Sequence, residues 1–215
     1  MAKNKLIGIF GGTFDPIHNG HVSVIENFQD LIGFDELIVL PNGNPPHKEK
    51  STHGKDKFEM VKLALDNFQD LKIDNREIIE VTPSYAYLTS QELQRENPGA
   101  TLVWIMGTDS FMKIDSWYCY EEFINSTNFL ILQRPECEIE EESVADDLLK
   151  SRKVSSFEEL RNNKGKIFLL KIKPIKITST YIREKISRDE DVTSLLNPAV
   201  YEYIKQNNLY KDING

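Results

Sequence analysis

His18 and His21 stand three residues apart behind a glycine pair, in Gly11-Gly12-Thr13-Phe14-Asp15-Pro16-Ile17-His18-Asn19-Gly20-His21. On a helix that spacing puts both imidazoles on one face. Glycines let backbone approach a ligand closely, and a helix start offers N–H groups with no partner in the helix. Such a place favours phosphate. The residue types alone leave three readings open: metal ligands, core histidines or phosphate donors. No Cys or carboxylate lies at zinc-ligand spacing, which counts against the first. Two histidines at a glycine-flanked helix start favour the third, and with it the binding and transformation of a phosphorylated ligand.

Three further segments carry candidate chemistry. In Pro41-Asn42-Gly43-Asn44-Pro45-Pro46-His47-Lys48, two prolines stiffen a loop and Lys48 brings a cation to its end, suited to a second phosphate. Lys55 and Lys57 fit an added positive field and a solvated helix face equally well. Gly107-Thr108-Asp109-Ser110 places a carboxylate that can accept from ribose hydroxyls or base amino groups, or simply cap a helix. Trp117 can stack on a heterocycle or fill core. Ile177-Thr178-Ser179-Thr180-Tyr181-Ile182-Arg183 joins hydroxyls, a helix start and a permanent cation. Ser179 or Thr180 capping that helix is compatible with phosphate binding. Donors from both ends of the chain suit a long polyphosphate such as a triphosphate.

The elements that must position these residues follow from hydropathy patterning. Short branched apolar runs at 6–10, 36–40, 76–81, 102–106, 129–132 and 166–172 predict strands. Helical patterns fall at 22–32, 56–68, 86–96 and 117–125, with a short one at 157–160. Two more close the chain at 180–187 and 198–207, the last with Pro198 in its first turn and Asn197 as cap. Alternation of this kind predicts an α/β fold: a doubly wound, Rossmann-like, mostly parallel sheet with helices on both faces. Right-handed crossovers put the ligand crevice beyond the strands' C-terminal ends, where 11–21, 41–48 and 107–109 all fall. No repeat or linker marks a boundary, so a single domain with a helical portion at about 178–215 is expected.

Composition bounds the function. The 215 residues carry a formal charge of −8, with 40% hydrophobic and 28% charged residues, as in soluble globular proteins. A net negative chain argues against a broad nucleic-acid surface, so anionic small substrates need a local cationic pocket. No apolar run approaches the ~20 residues of a membrane span, and the start lacks a signal-peptide layout. Two cysteines, Cys119 and Cys137, suit free thiols in a reducing cytoplasm. The acidic block at 136–147 reads as a solvated surface segment. Neither G-x-G-x-x-G nor the P-loop pattern occurs, which argues against dehydrogenases and P-loop kinases.

Taken together and in this order, these segments resemble nicotinate mononucleotide adenylyltransferase, of the nucleotidyltransferase superfamily. The resemblance rests on residues 11–21, 41–48, 107–111 with Trp117, 177–183, and the closing pattern from Val200 to Tyr210. It implies adenylyl transfer from ATP to nicotinate mononucleotide, giving deamido-NAD and pyrophosphate, with Mg²⁺ carried by ATP and no dedicated protein cage. It also implies roles. His18, His21 and Arg183 would be catalytic. Gly11, Gly12, Thr13, Phe14, Gly107, Asp109, Ser179 and Thr180 would bind ATP, and Lys48, Tyr85 and Trp117 the mononucleotide. After the third strand the family reads Ser-Tyr-Thr-x-Asp-Thr, whereas Ala86 and Leu88 stand here at the threonine and aspartate positions. Lys57 stands where arginine is usual. Competing expectations are a nicotinamide mononucleotide or phosphopantetheine acceptor, and a non-catalytic nucleotide-binding regulator.

Overall fold

The computed structural model describes residues 4–43, 52–68, 71–79, 84–133, 138–172 and 177–211. In chain order the elements are β1 (Leu6–Gly12), α1 (Asn19–Leu31), β2 (Glu36–Pro41), α2 (Gly54–Leu65), β3 (Leu71–Ile73), α3 (Arg76–Ile79) and α4 (Ala86–Glu96). There follow β4 (Thr101–Gly107), α5 (Thr108–Phe111), α6 (Tyr120–Ser126), β5 (Asn128–Gln133), α7 (Val144–Arg152), β6 (Ile167–Lys171), α8 (Ser179–Ser187) and α9 (Pro198–Gln206). The strands form one six-stranded sheet in the order β3-β2-β1-β4-β5-β6, that of doubly wound α/β folds. The pairs β1–β4, β4–β5 and β5–β6 are parallel. Consecutive strand residues such as Ile38, Val39 and Leu40, or Phe129, Leu130 and Ile131, are 0% exposed, so both faces of those strands are covered.

Two compact units make up the chain. The first holds Met1–Gly11, Phe34–Val39 and Ser84–Pro174. Its core centres on Phe123, with the rings of Phe129 and Trp104 at 5.0 and 5.3 Å in edge-on contact. Its strand starts are bolted by polar groups. Asp35 accepts from the Leu6 N–H at 2.7 Å and from Arg161, which also donates to the Asn4 carbonyl at 2.7 Å. Thr101 Oγ1 donates to the Arg161 carbonyl at 2.6 Å, and Asn128 Nδ2 to those of Leu160 and Asn163.

The second unit holds Gly12–Gly33, Leu40–Pro83 and Ile175–Gly215. Here α2 packs against α3 and α9, burying Met60, Val61, Val200 and Ile204. Each such aliphatic side chain contributes about 1.5–3 kcal/mol when fully buried. The Asn197 cap forms, its Oδ1 accepting from the Ala199 N–H at 2.9 Å, with Pro198 in the first turn.

Two expectations change. Residues 76–79 form a helix, not a strand, because the Asp74 carboxylate takes the Arg76 N–H at 3.0 Å and the Asn75 carbonyl takes those of Ile78 and Ile79. The strand is the apolar Leu71–Ile73 just before, and residues 80 and 81 lie outside the described ones. The helix expected from Trp117 starts at Tyr120, because Cys119 takes a left-handed φ of 51°. Beyond β4, Thr108–Phe111 is a helical turn. The short helix expected at 157–160 is present as a 3₁₀ helix, Phe157–Leu160, set by Glu159 accepting from the Ser156 N–H at 2.9 Å. Within the acidic block, Ser143 caps α7, and Asp146 pairs with Lys150 at 2.6 Å. No helix among the described residues is long and apolar enough to cross a membrane.

Candidate active site

β1 ends in glycine and the chain folds sharply over it. A Cβ on Gly12 would lie 2.8 Å from the Phe14 ring, so any larger residue there would force that ring to shift. Phe14 takes a left-handed φ of 47° and is buried. Its ring meets His21 edge-on at 5.0 Å, and His21 in turn stacks on His18 at 3.8 Å. The His18 backbone N–H donates to His21 Nδ1 at 3.3 Å. With Nδ1 accepting, a neutral His21 carries its proton on Nε2 and can donate outward. His18 is buried at the helix boundary, and the first turn of α1 has no acidic residue, unlike those of α2, α6 and α7. The helix's own first turn therefore supplies no counter-charge to the partial positive charge there.

The start of α8 docks on the same loop. Arg183 Nη1 donates to the Asp15 carbonyl at 2.7 Å, and Ser179 Oγ to the Pro16 carbonyl at 2.9 Å. Arg183 Nη2 reaches Thr180 Oγ1 at 3.2 Å. The expected cap is corrected: Thr178, not Ser179 or Thr180, accepts from the Tyr181 N–H at 3.1 Å. Ser179 is thereby available for its tertiary contact. Two of the five guanidinium donors of Arg183 meet these oxygens. Among the described residues it forms no ion pair with a carboxylate. Gly12, Thr13, Phe14, His18, His21, Ser179, Thr180 and Arg183 thus gather about the loop 12–18.

The segment after β2 is seated by a residue whose role patterning left open. Lys57 is 0% exposed and donates to the carbonyls of Asn42 and Gly43 at 2.7 and 3.0 Å. It is neither a solvated face nor a free source of field, while Lys55 is exposed. A Cβ on Gly43 would fall 1.7 Å from the Glu77 carbonyl, so this turn requires glycine. Lys48 lies outside the described residues.

The remaining candidates belong to the first unit. Gly11 is half-buried near the end of β1, and Gly107 caps α5 after β4. Asp109, one turn residue later, is exposed and is not the cap. Thr108, buried, ties this turn to the Leu132 carbonyl at 3.1 Å. Trp117 is half-buried, its ring parallel to Phe123 at 6.3 Å, while Tyr85 meets the exposed Tyr118 at 4.7 Å with the rings tilted by 36°. Sequence patterning did not single out Asp15 or Tyr210. Asp15 Oδ1 accepts from the Tyr210 hydroxyl at 2.7 Å and Oδ2 from the Thr52 N–H at 3.2 Å. Among the described residues no cluster of three or more His, Cys, Asp or Glu could hold a metal, and Cys119 is a free thiol.

Residues 9–185 match the cytidylyltransferase-like family. A protein of Legionella pneumophila strain Paris, described as a probable nicotinate-nucleotide adenylyltransferase, is 38% identical over 208 residues, covering 95% of this chain and 99% of its own. One of the same description from Shewanella frigidimarina is 33% identical over 211 residues, with 95% and 99% covered. Among solved structures, the Plasmodium falciparum nicotinic acid mononucleotide adenylyltransferase complexed with NaAD shares the fold. Its TM-score is 0.74 at 22% identity, over 96% of this chain and 98% of that one. The chain belongs to the cytidylyltransferase-like family and, within it, to the nicotinate-nucleotide adenylyltransferases.

Proposed function

We propose that the protein transfers the adenylyl group of ATP to nicotinate mononucleotide, forming deamido-NAD and releasing pyrophosphate. The observation that carries this reading is the hydrogen bonding of Arg183 and Ser179 to Asp15 and Pro16, directly ahead of His18. It brings donors from the starts of α1 and α8 to one loop. In the reaction a phosphate oxygen of the mononucleotide bonds to the α-phosphorus of ATP, and the bond from that phosphorus to the bridging oxygen of the β-phosphate breaks. The bond electrons leave with pyrophosphate. No protein nucleophile is needed, so positioning and charge neutralisation supply the catalysis.

His21, donating through Nε2, and His18 are assigned to the α-phosphate and the departing pyrophosphate. Arg183, Ser179 and Thr180 are assigned to the β- and γ-phosphates, where a guanidinium fork suits paired phosphate oxygens. Gly11, Gly12, Thr13 and Phe14 line the nucleotide, Gly107 and Asp109 meet its nucleoside part, and Lys48, Tyr85 and Trp117 take the acceptor. The donors about loop 12–18 are cationic or neutral, a set that fits phosphate oxygens better than a metal. Mg²⁺ carried by ATP would supply further charge neutralisation for the phosphates. The family match spans both compact units, which supports residues 1–215 acting as one nucleotidyltransferase domain. Soluble nucleotide substrates suit a cytoplasmic enzyme.

Pyrophosphate release measured with ATP and each of nicotinate mononucleotide, nicotinamide mononucleotide and phosphopantetheine tests the reading. The expected order puts nicotinate mononucleotide first. Absence of pyrophosphate with every acceptor, or preference for phosphopantetheine, overturns it. The apolar Ala86 and the exposed Leu88 in the first turn of α4 are the observation that keeps the nicotinamide form in this comparison.

A further inference from the structure

One buried junction in the described residues is not used by that chemistry. The Asp15 side chain is 5% exposed, and it binds the Tyr210 hydroxyl and the Thr52 N–H as described. The backbone carbonyls of Asp15 and Pro16 bind Arg183 and Ser179. Two consecutive residues therefore tie the α8 start, the lead into α2 and the end of the chain to the loop before His18. Tyr210 comes to Asp15 from 195 residues away. To reach it, the tail beyond α9 turns back through left-handed residues, Asn208 at φ 51° and Tyr210 itself at φ 67°. Leu209 N–H closes that turn on the Ile204 carbonyl at 3.0 Å. A bulky residue at positive φ is uncommon, and such strain persists where surrounding contacts hold it, often at functional sites. The hydroxyl also lies 3.9 Å from the sulfur of Met60 in α2. Burial, and then the Asp15 charge, push the Tyr210 phenol up from its ordinary value, so it remains a donor.

We propose that Tyr210 is a positioning residue for adenylyl transfer: acting through Asp15, it holds the loop that presents His18 and the carbonyl that aims Arg183. The proposal rests on the adenylyltransferase reading. Tyr210 itself touches no reacting atom. Removing its hydroxyl leaves a buried carboxylate oxygen without its donor and frees the loop to shift, and a displacement of about 1 Å in such a site costs up to ~100-fold in rate.

The test compares full-length Tyr210→Phe with Tyr203→Phe. Tyr203 sits on α9 and makes the same kind of bond, to Asp56 in α2 at 2.8 Å, but leaves Asp15 alone. Pyrophosphate release, ATP binding by calorimetry without acceptor, and Tm are measured on each. Tyr210→Phe is expected to lower kcat about tenfold or more and to weaken ATP about fivefold, with the acceptor KM within about twofold. Tyr203→Phe is expected to lower Tm and leave kcat and ATP affinity unchanged. Asp15→Asn reaches the junction from the other side and should give the same split as Tyr210→Phe. Combining the two should cost little beyond the worse single, because both act at one contact. Wild-type kcat and ATP affinity in Tyr210→Phe, equal effects of the two tyrosine variants, or additive losses with Asp15→Asn overturn the proposal. A wild type that releases no pyrophosphate with any acceptor refutes the activity instead, and the ATP affinity of Tyr210→Phe still decides the role of the tyrosine.

Discussion

Two aspartates, Asp35 and Asp15, each gather distant segments, and they do so to different ends. Asp35 sits before β2 and, with the 4%-exposed Arg161, closes the strand starts of the first unit. Its arginine forms ion pairs with Asp35 and, at 3.7 Å, with Glu158, so its charge is met inside the junction. Asp15 follows β1 in the second unit, and there the arginine binds the backbone carbonyl while a tyrosine and a backbone N–H take the carboxylate. Arg183 is held in place yet keeps its charge. Under the proposed function that charge, with the helix starts beside it, meets the triphosphate. A hub that cancels its charges builds stability, whereas one that fixes a charge without cancelling it builds a site.

The largest expected effect separates the two hubs by rate. His18→Ala, beside the Asp15 junction, should cut kcat at least ~100-fold while circular dichroism and Tm stay near wild type. A kcat within a few-fold of wild type would remove His18 from the chemistry. Arg161→Met should do the reverse. It strips donors from Asp35 and from the Asn4 carbonyl, and denaturant unfolding should register a loss of about 1–3 kcal/mol, with kcat at low temperature preserved. If activity falls before stability does, the contrast between the hubs is wrong.

Trp117→Ala probes the first unit's aromatic surface. Its ring is packed on Phe123 and half-exposed, so truncation should raise the acceptor KM about tenfold and the ATP KM far less, a split that steady-state kinetics reads directly. Equal rises in both would assign the ring to core packing alone.

The smallest effect concerns alkaline pH. Burial first, then the hydrogen bond to Asp56, pushes the Tyr203 phenol up to about 12. The unfolded chain releases that proton near pH 10, its ordinary value, while the folded chain keeps it. Tyr203 therefore contributes its full stability below about pH 10 and loses it as pH climbs towards 12. Unfolding midpoints between pH 9 and 12 should fall less steeply in Tyr203→Phe than in wild type. Identical slopes would contradict the shift.

Much of this was legible in local pattern. The run from Leu6 into Gly11-Gly12, the histidine pair and the hydroxyl-rich start of α8 announce themselves by spacing, because strand, turn and helix start are neighbours in the chain. What patterning missed has one physical cause. The partner of Asp15 is 195 residues away, and a buried Lys57 looks in sequence like any helix lysine, since burial is decided by the carbonyls that meet it. The strand expected at 76–81 failed in a similar way: the branched residues promised a strand, but the Asp74 carboxylate and the Asn75 backbone carbonyl close a helical turn, and that local bonding prevailed. Thr178 rather than Ser179 caps α8 because Ser179 is drawn to the Pro16 carbonyl, a preference only tertiary structure reveals.

Under the proposed function, the histidines of α1 and the arginine of α8 grip one triphosphate. A crystal structure of the full chain with α,β-methylene-ATP and Mg²⁺ tests it most directly. The account predicts His18 or His21 within hydrogen-bond distance of the α-phosphate, and Arg183 bonded to the β- or γ-phosphate of the same molecule. A triphosphate that touches the α1 start while Arg183 contacts only protein, or the converse, would contradict it.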